Sequence, residues 1–351
     1  MNKSSNLETE PLFLSACWCK PTSRTPVWIM RQAGRYLPEY RKIRSQVDFL
    51  TLTKTPELAA EVTLQPVRRF GIDAAILFSD IMTPVEGMGV EMEFNPGPVV
   101  TNPLRTASQI DALRIPDLNE NAPFVAEAIK IIQKELPVSV PLIGFAGAPF
   151  TLFCYLVEGQ GSKTFSQAKS FLFAEPQLSR MILEKLTDVM IEYLRGQAQA
   201  GAQALMIFDS WAGLLADEDY KAFAYPSVCR IIKSLGHLDI PLIYFPNQGA
   251  TLLETVKDSG ADVVGIDWRT SLSVARHVLG SDVAVQGNLD PMALFSSKED
   301  LGSRIDNVLR EGGPEPGHIF NLGHGIDKNT DPDRVAFLVE RVRESSQKDL
   351  D

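Results

Sequence analysis

The sequence predicts a single-domain (β/α)8 barrel with its active-site cleft at the C-terminal ends of the strands. Three observations predict it. Eight short apolar runs recur along 351 residues, each too continuous for a half-exposed strand, so both faces should be buried as in a parallel sheet. Helical patterns lie between the runs. No repeat, low-complexity tract or linker divides the chain, and its length suits one large barrel.

In order, the runs are VWIM (27–30), AAILFSD (74–80), PLIGFAG (141–147), ALMIFDS (204–210), PLIYFPN (241–247), VVGID (263–267), VAVQGNLD (283–290) and HIFNLGHG (318–325). Between them the spacing predicts helices over 56–70, in the long amphipathic region 165–200, and over 332–344. Pro56 and Pro332 stand where a first-turn proline is favoured. A doubly wound dinucleotide fold would need a glycine-rich fingerprint after the first strand, and VWIMRQAGRY has one glycine. GQGSKT (159–164) fails as a phosphate loop, because its Lys does not follow Gly and Leu156 stands where the first glycine should fall. One domain spanning 1–351 is expected, with residues 1–20 and 345–351 loosely ordered.

Lys and Arg number 34 against 44 Asp and Glu, for a net charge of −10, which argues against a nucleic-acid binder. Residues 136–157 carry no charge and are long enough to span a bilayer. Pro137, Pro141 and Pro149 would break such a helix, so a strand, a turn and a buried helix start are expected instead. The N-terminus lacks a secretory or transit pattern, and four cysteines without a C-x-x-C pair fit a reducing compartment; a cytoplasmic protein is expected. None of the four histidines sits in a metal-binding motif, and Cys17 and Cys19 form only C-x-C, so no metal site is expected.

In a barrel the strand ends converge on one face. That rule alone selects Arg31, Gln32 and Arg35, then Asp80, Gly147 to Tyr155, Asp209, Ser210, Trp211, Asn247, Asp267, Asn288, Asp290 and His324. Residues 20–44 hold seven Lys and Arg against Glu39 alone, a local +6 that leaves −16 for the rest. Such a segment suggests a site for an anionic small molecule, although a solvated basic face would look the same. Arg31 and Arg35 share a face if that segment is helical, and each guanidinium can bind a carboxylate bidentately. Asp80 suits either a helix N-cap or a carboxylate facing a pocket. Tyr155 is either a core tyrosine or a site residue. With a side-chain period of two, only one of Asp209 and Ser210 faces the axis. His324 lies between two glycines that let backbone approach a ligand, which singles it out among the histidines.

PVWIMRQAGRYLPEYR (26–41) and GFAGAPFTL (144–152) resemble the two signature segments of the uroporphyrinogen decarboxylase family. LFSDIMTP, FDSWAG and FNLGHGI continue the likeness over roughly residues 11–345. The resemblance implies a (β/α)8 homodimer that removes the four acetate carboxylates of uroporphyrinogen to give coproporphyrinogen, with neither metal nor organic cofactor. By motif it implies Arg31, Gln32, Ala33, Gly34 and Arg35 as substrate contacts, with Arg31 and Arg35 binding carboxylates. It further implies Asp80 accepting pyrrole N–H groups, and Tyr155, Ser210 and His324 as additional contacts; Asp80 and Arg31 would be catalytic. Two rivals remain: a zinc-dependent methyltransferase of the corrinoid or methionine-synthase type, and a tetrapyrrole-binding carrier without turnover.

Overall fold

Parallel strands build the centre of the protein in the computed structural model, which describes residues 10–94 and 97–348. After β1 (Ala75–Ile76) come two short strands, β2 (Met92–Phe94) and β3 (Pro98–Val100). Then follow β4 (Leu142–Gly147), β5 (Ala204–Asp209), β6 (Leu242–Pro246), β7 (Val263–Gly265), β8 (Ala284–Gln286) and β9 (His318–Ile319). Seven of them form one sheet in the order β1-β4-β5-β6-β7-β8-β9, and every neighbouring pair is parallel. Seven of the eight expected runs are thus strands.

The eighth, VWIM, is not a regular strand, yet it closes the barrel. On one side the Phe320 N–H donates to the Pro26 carbonyl (2.9 Å) and the Trp28 N–H to the Phe320 carbonyl (3.3 Å). On the other side the Asp73 N–H reaches the Val27 carbonyl at 2.8 Å. The Val27 N–H goes not to a backbone carbonyl but to the Asp73 carboxylate, also at 2.8 Å. A side chain therefore stands in for one rung of the ladder, and regular pairing shrinks to the single bridge between Val27 and Phe320.

The helices follow their sequence signals. Pro56–Phe70 starts on its first-turn proline and ends where Gly71 takes a left-handed conformation, φ 64°. Region 165–200 is two helices, Ser166–Ala174 and Pro176–Ala200, because the residue before a proline disfavours helical backbone; Glu175 sits at φ −125°, ψ 60°. The uncharged stretch 136–157 is β4 followed by the helix Pro149–Glu158, and no described helix is long and apolar enough to cross a membrane. β2 and β3 form an antiparallel hairpin that the sequence reading missed, although N-P-G stands between two strand-prone runs.

Part of the segment expected to be loose is packed. Leu12–Cys17 is a helix that buries Phe13, Ala16 and Cys17 against the core. At the other end the helix Pro332–Ser345 leads into Ser346, whose hydroxyl accepts the Thr25 N–H at 3.1 Å. Apolar burial of Phe13, Ala16 and Cys17 thus holds the start, and hydrogen bonds from Ser346 and from the Lys348 N–H to the Ser23 carbonyl (2.8 Å) hold the end; the rest of both expected loose ends, 1–9 and 349–351, lies outside the described residues.

Candidate functional site

The site begins at the turn that ends the Val27 segment. The Met30 N–H donates to Asn321 Oδ1 (2.8 Å) and the Ile326 N–H to the Met30 carbonyl (3.0 Å), so the loop after β9 clamps this turn at two points. Arg31 then adopts φ 63°. A non-glycine residue there costs on the order of 1–3 kcal/mol, and persists only where its surroundings fix it. Its side chain runs across Gly325, where an added Cβ would stand 2.4 Å from Arg31 Cδ. That contact gives one of the glycines flanking His324 its purpose.

Helical spacing does not bring Arg31 and Arg35 together as expected. The helix begins only at Pro38, and residues 31–37 form turns. Both arginines nevertheless line one cavity of about 370 Å³, with Trp268, Asp290, His324 and Lys328 among its other walls. Arg41 holds the turn by donating to the carbonyls of Arg35 and Tyr36, each at 2.9 Å. Ala33 and Gly34 are half-buried within it.

Gln32 is the expected contact that the structure turns away. Its side chain is buried: Oε1 accepts the Ile29 N–H (3.1 Å), Nε2 donates to the Ala74 carbonyl (3.1 Å), and its own carbonyl accepts the Tyr36 hydroxyl (2.9 Å). A polar side chain between two strands must satisfy their backbone, and that requirement takes up both ends of the amide. The basic segment is also dispersed. Lys20 pairs with Glu10, and Arg24 forms a two-pronged pair with Asp73.

His324 sits within 6.3 Å, centroid to centroid, of both Phe245 and Trp268. Burial, with Arg31 and Arg269 nearby, lowers its pKa to about 4. Below it the rings of Phe145, Phe208 and Phe245 follow one another at 5.5 and 6.2 Å and fill the barrel interior. Arg269 lies over the Trp268 ring at 3.9 Å, and the Asp267 carboxylate takes its backbone N–H at 2.8 Å.

Asp80 is half-buried at the end of the loop after β1. Its Oδ1 accepts the Met82 N–H at 2.8 Å, a local turn ahead of the helix Thr83–Gly87; that helix has Met82 as its N-cap and no side-chain cap, so Asp80 is not the helix cap. Its Oδ2 accepts no hydrogen bond among the described residues. Burial raises this carboxyl, as does Glu86, while the Met82 N–H and Arg31 lower it. Tyr155 is raised mainly by burial, with Asp80 and Arg31 acting on it in opposite senses. Arg31 is therefore within electrostatic reach of Asp80, Tyr155 and His324, although only His324 shares its cavity wall.

The strand-end pair behaves as the period of two requires. Phe208 faces inward, and Asp209 points outward and is wholly buried. Ser210, next along, is half-buried, and its carbonyl accepts Asn247 Nδ2 at 3.0 Å. Asn288, from the same topological selection, donates to the carbonyls of Asp267 and Thr270 and serves the scaffold. Trp268 and Lys328 were missed; both follow expected strand ends by one to a few residues, which was the available signal. Among the described residues no three His, Cys, Asp or Glu side chains gather as metal ligands.

A family model described as uroporphyrinogen decarboxylase matches residues 8–345. Proteins named uroporphyrinogen decarboxylase from Geobacter metallireducens and Geotalea uraniireducens are 53% and 52% identical over 336 residues, covering 96% of this chain and 99% of each relative. Among solved structures, a methyltransferase from Methanosarcina mazei superposes with a TM-score of 0.80 at 23% identity, covering 95% of this chain and 97% of that one. A B12-independent methionine synthase from a Shewanella species gives 0.58 at 12% identity, covering 92% and 97%. Those two likenesses concern the barrel alone.

Proposed function

Because this chain belongs to the uroporphyrinogen decarboxylase family, we propose that it converts uroporphyrinogen III to coproporphyrinogen III by removing four acetate carboxylates as CO2, without a cofactor. The observation that carries this is the convergence on Arg31: a strained turn sets it on one cavity wall with a neutral imidazole, His324, and within electrostatic reach of Asp80, a carboxylate whose Oδ2 accepts no hydrogen bond among the described residues. An octacarboxylate suits a cleft with Arg31, Arg35 and Lys328 on its walls.

The chemistry follows from these groups. Protonating a pyrrole ring carbon makes an iminium, which accepts the electron pair when the CH2–CO2 bond breaks. CO2 leaves and an enamine-like methylene remains. A second proton turns it into a methyl group, and loss of the ring proton restores the pyrrole, so each acetate consumes one proton net. The substrate itself is the electron sink, a role that cofactors fill elsewhere. Asp80 Oδ2 accepts the pyrrole N–H groups and stabilises the cation, which such groups do to the extent of roughly 3–4 kcal/mol. Arg31 and Arg35 hold carboxylates. Since a guanidinium is a poor Brønsted acid, we assign proton delivery to water oriented by Arg31. Ala33, Gly34, Tyr155, Ser210 and His324 complete the contacts; Gln32 supports the wall behind them.

A cytoplasmic homodimer accompanies this reading, with Met292 and Phe295, both about half exposed on the turn Pro291–Phe295, as apolar surface beside the cleft. Light scattering of the purified protein tests the dimer. The reaction is tested by anaerobic incubation with uroporphyrinogen III, with and without EDTA, followed by oxidation and separation of the porphyrins by carboxylate number. Stepwise loss to four carboxylates, unchanged by EDTA, is expected. Binding without conversion would support the carrier. Activity abolished by EDTA, or no binding at all, would turn attention to the metal-dependent methyltransferase.

A further inference from the structure

Asp209 is wholly buried behind the site, and no step above uses it. A carboxylate without solvent needs hydrogen-bond donors on both oxygens. Oδ1 accepts the Thr151 hydroxyl at 2.7 Å, and Oδ2 accepts the Tyr244 hydroxyl at 2.9 Å. With its O–H donated to Asp209, Tyr244 is left to accept from Tyr220, whose hydroxyl lies 2.8 Å away. The Thr151 O–H is likewise donated, so its oxygen accepts the Trp211 backbone N–H at 3.3 Å. Every proton in the chain points toward the carboxylate, and its polarity is fixed.

These hydrogen bonds tie four separate elements: β5 with its following loop, the helix Pro149–Glu158, β6 through Tyr244, and the helical turn Tyr220–Ala224. Asp209 ends β5, and Trp211 follows in the loop that carries Ser210. Thr151 lies in the first turn of the helix Pro149–Glu158, four residues before Tyr155 and so on the same face. Tyr155 meets the Trp211 ring edge-on at 6.4 Å, and Phe165 packs on that ring at 4.7 Å. Neither Thr151 nor Asp209 lines the cavity.

We propose that Thr151 and Asp209 are positioning residues, which lock the Trp211 loop to the helix of Tyr155 and thereby set Tyr155 and Ser210 for the substrate. This rests on the decarboxylase reading for its effect on turnover, but the tie itself does not. The test is Thr151→Val, which keeps the shape and removes the hydroxyl, against Thr151→Ser, which keeps the hydroxyl. Thr151→Val should lower kcat about tenfold or more with KM within about twofold, as small misplacements of reacting groups do. Thr151→Ser should restore kcat. Without substrate, Thr151→Val should shift the tryptophan emission of the folded protein, and the shift should vanish in a Trp211→Phe background. Wild-type kcat in Thr151→Val, an equal loss in Thr151→Ser, or an emission shift that survives Trp211→Phe would each overturn the proposal. Should the native protein fail to decarboxylate, the functional reading falls, and the emission pair alone decides the tie.

Discussion

Gly325 lies directly beneath the Arg31 side chain, so close that a Cβ at 325 would approach Arg31 Cδ to 2.4 Å and Nε to 2.8 Å. The contact is with the middle of the side chain rather than its flexible tip, so Gly325→Ala must displace the guanidinium. Gly325 itself is not in the left-handed region, and alanine there carries no backbone penalty. The expected result is a fall in kcat/KM of about tenfold or more with the melting temperature nearly unchanged. Steady-state kinetics and calorimetry on the same preparation check it. Unaltered kinetics would mean that Arg31 does not need its present position.

Asp80 offers a sharper test, because its two oxygens have different tasks. Oδ1 satisfies the Met82 N–H, and Oδ2 accepts no hydrogen bond among the described residues. Asp80→Asn keeps an acceptor for Met82 while removing the charge, so the fold should survive. Turnover should fall by roughly 10²–10³, the loss seen when a preorganised charge-stabilising group is removed. Substrate consumption under anaerobic conditions measures it, and wild-type turnover would remove Asp80 from the chemistry.

The barrel was legible because parallel strands buried on both faces leave continuous apolar runs, and β4 to β9 each fall within one. The first run misled only in its regularity: the Asp73 side chain that replaces a ladder carbonyl leaves no mark on the apolar pattern of VWIM. Arg31 and Arg35 line one cavity, but a turn rather than the expected helix face puts them there, since nothing in their spacing reveals that Arg31 takes φ 63°. Gln32 could not have been judged from sequence, because its task depends on Ala74, which is 42 positions away. Trp268 and Lys328 were missed for a related reason. Loops beyond the strand ends wall the cavity, and no periodicity governs where a loop residue points.

One carboxylate supplements the backbone pairs that close the barrel. Asp73 takes both prongs of Arg24, at 2.6 and 2.7 Å, as well as the Val27 N–H, and both side chains are largely shielded, at 10% and 16% exposed. Asp73→Ala would strip Arg24 of its partner and leave a strand N–H unsatisfied. Breaking one side of such a shielded pair costs about 3–5 kcal/mol. A lowered urea midpoint, with retained activity below it, is the expected outcome. A midpoint within error of wild type would show that backbone pairing alone closes the barrel.

His324 gives a prediction with a definite sign. Burial, then Arg31 and Arg269, disfavour its imidazolium, so its folded pKa is about 4 against an ordinary 6.5. The linked stability is therefore fully present above pH 6.5 and is lost as the pH falls through about 4. Between pH 5 and 8 the ring stays neutral, able to hydrogen-bond to substrate but carrying no proton to deliver. Its ring-proton resonance should stay flat over that range and titrate only near pH 4. His324→Asn, neutral at every pH, should leave the shape of the activity profile between pH 5 and 8 unchanged even where it lowers the rate. A ring that titrates near 6.5, or a profile that loses an inflection in the variant, would instead make His324 a proton carrier.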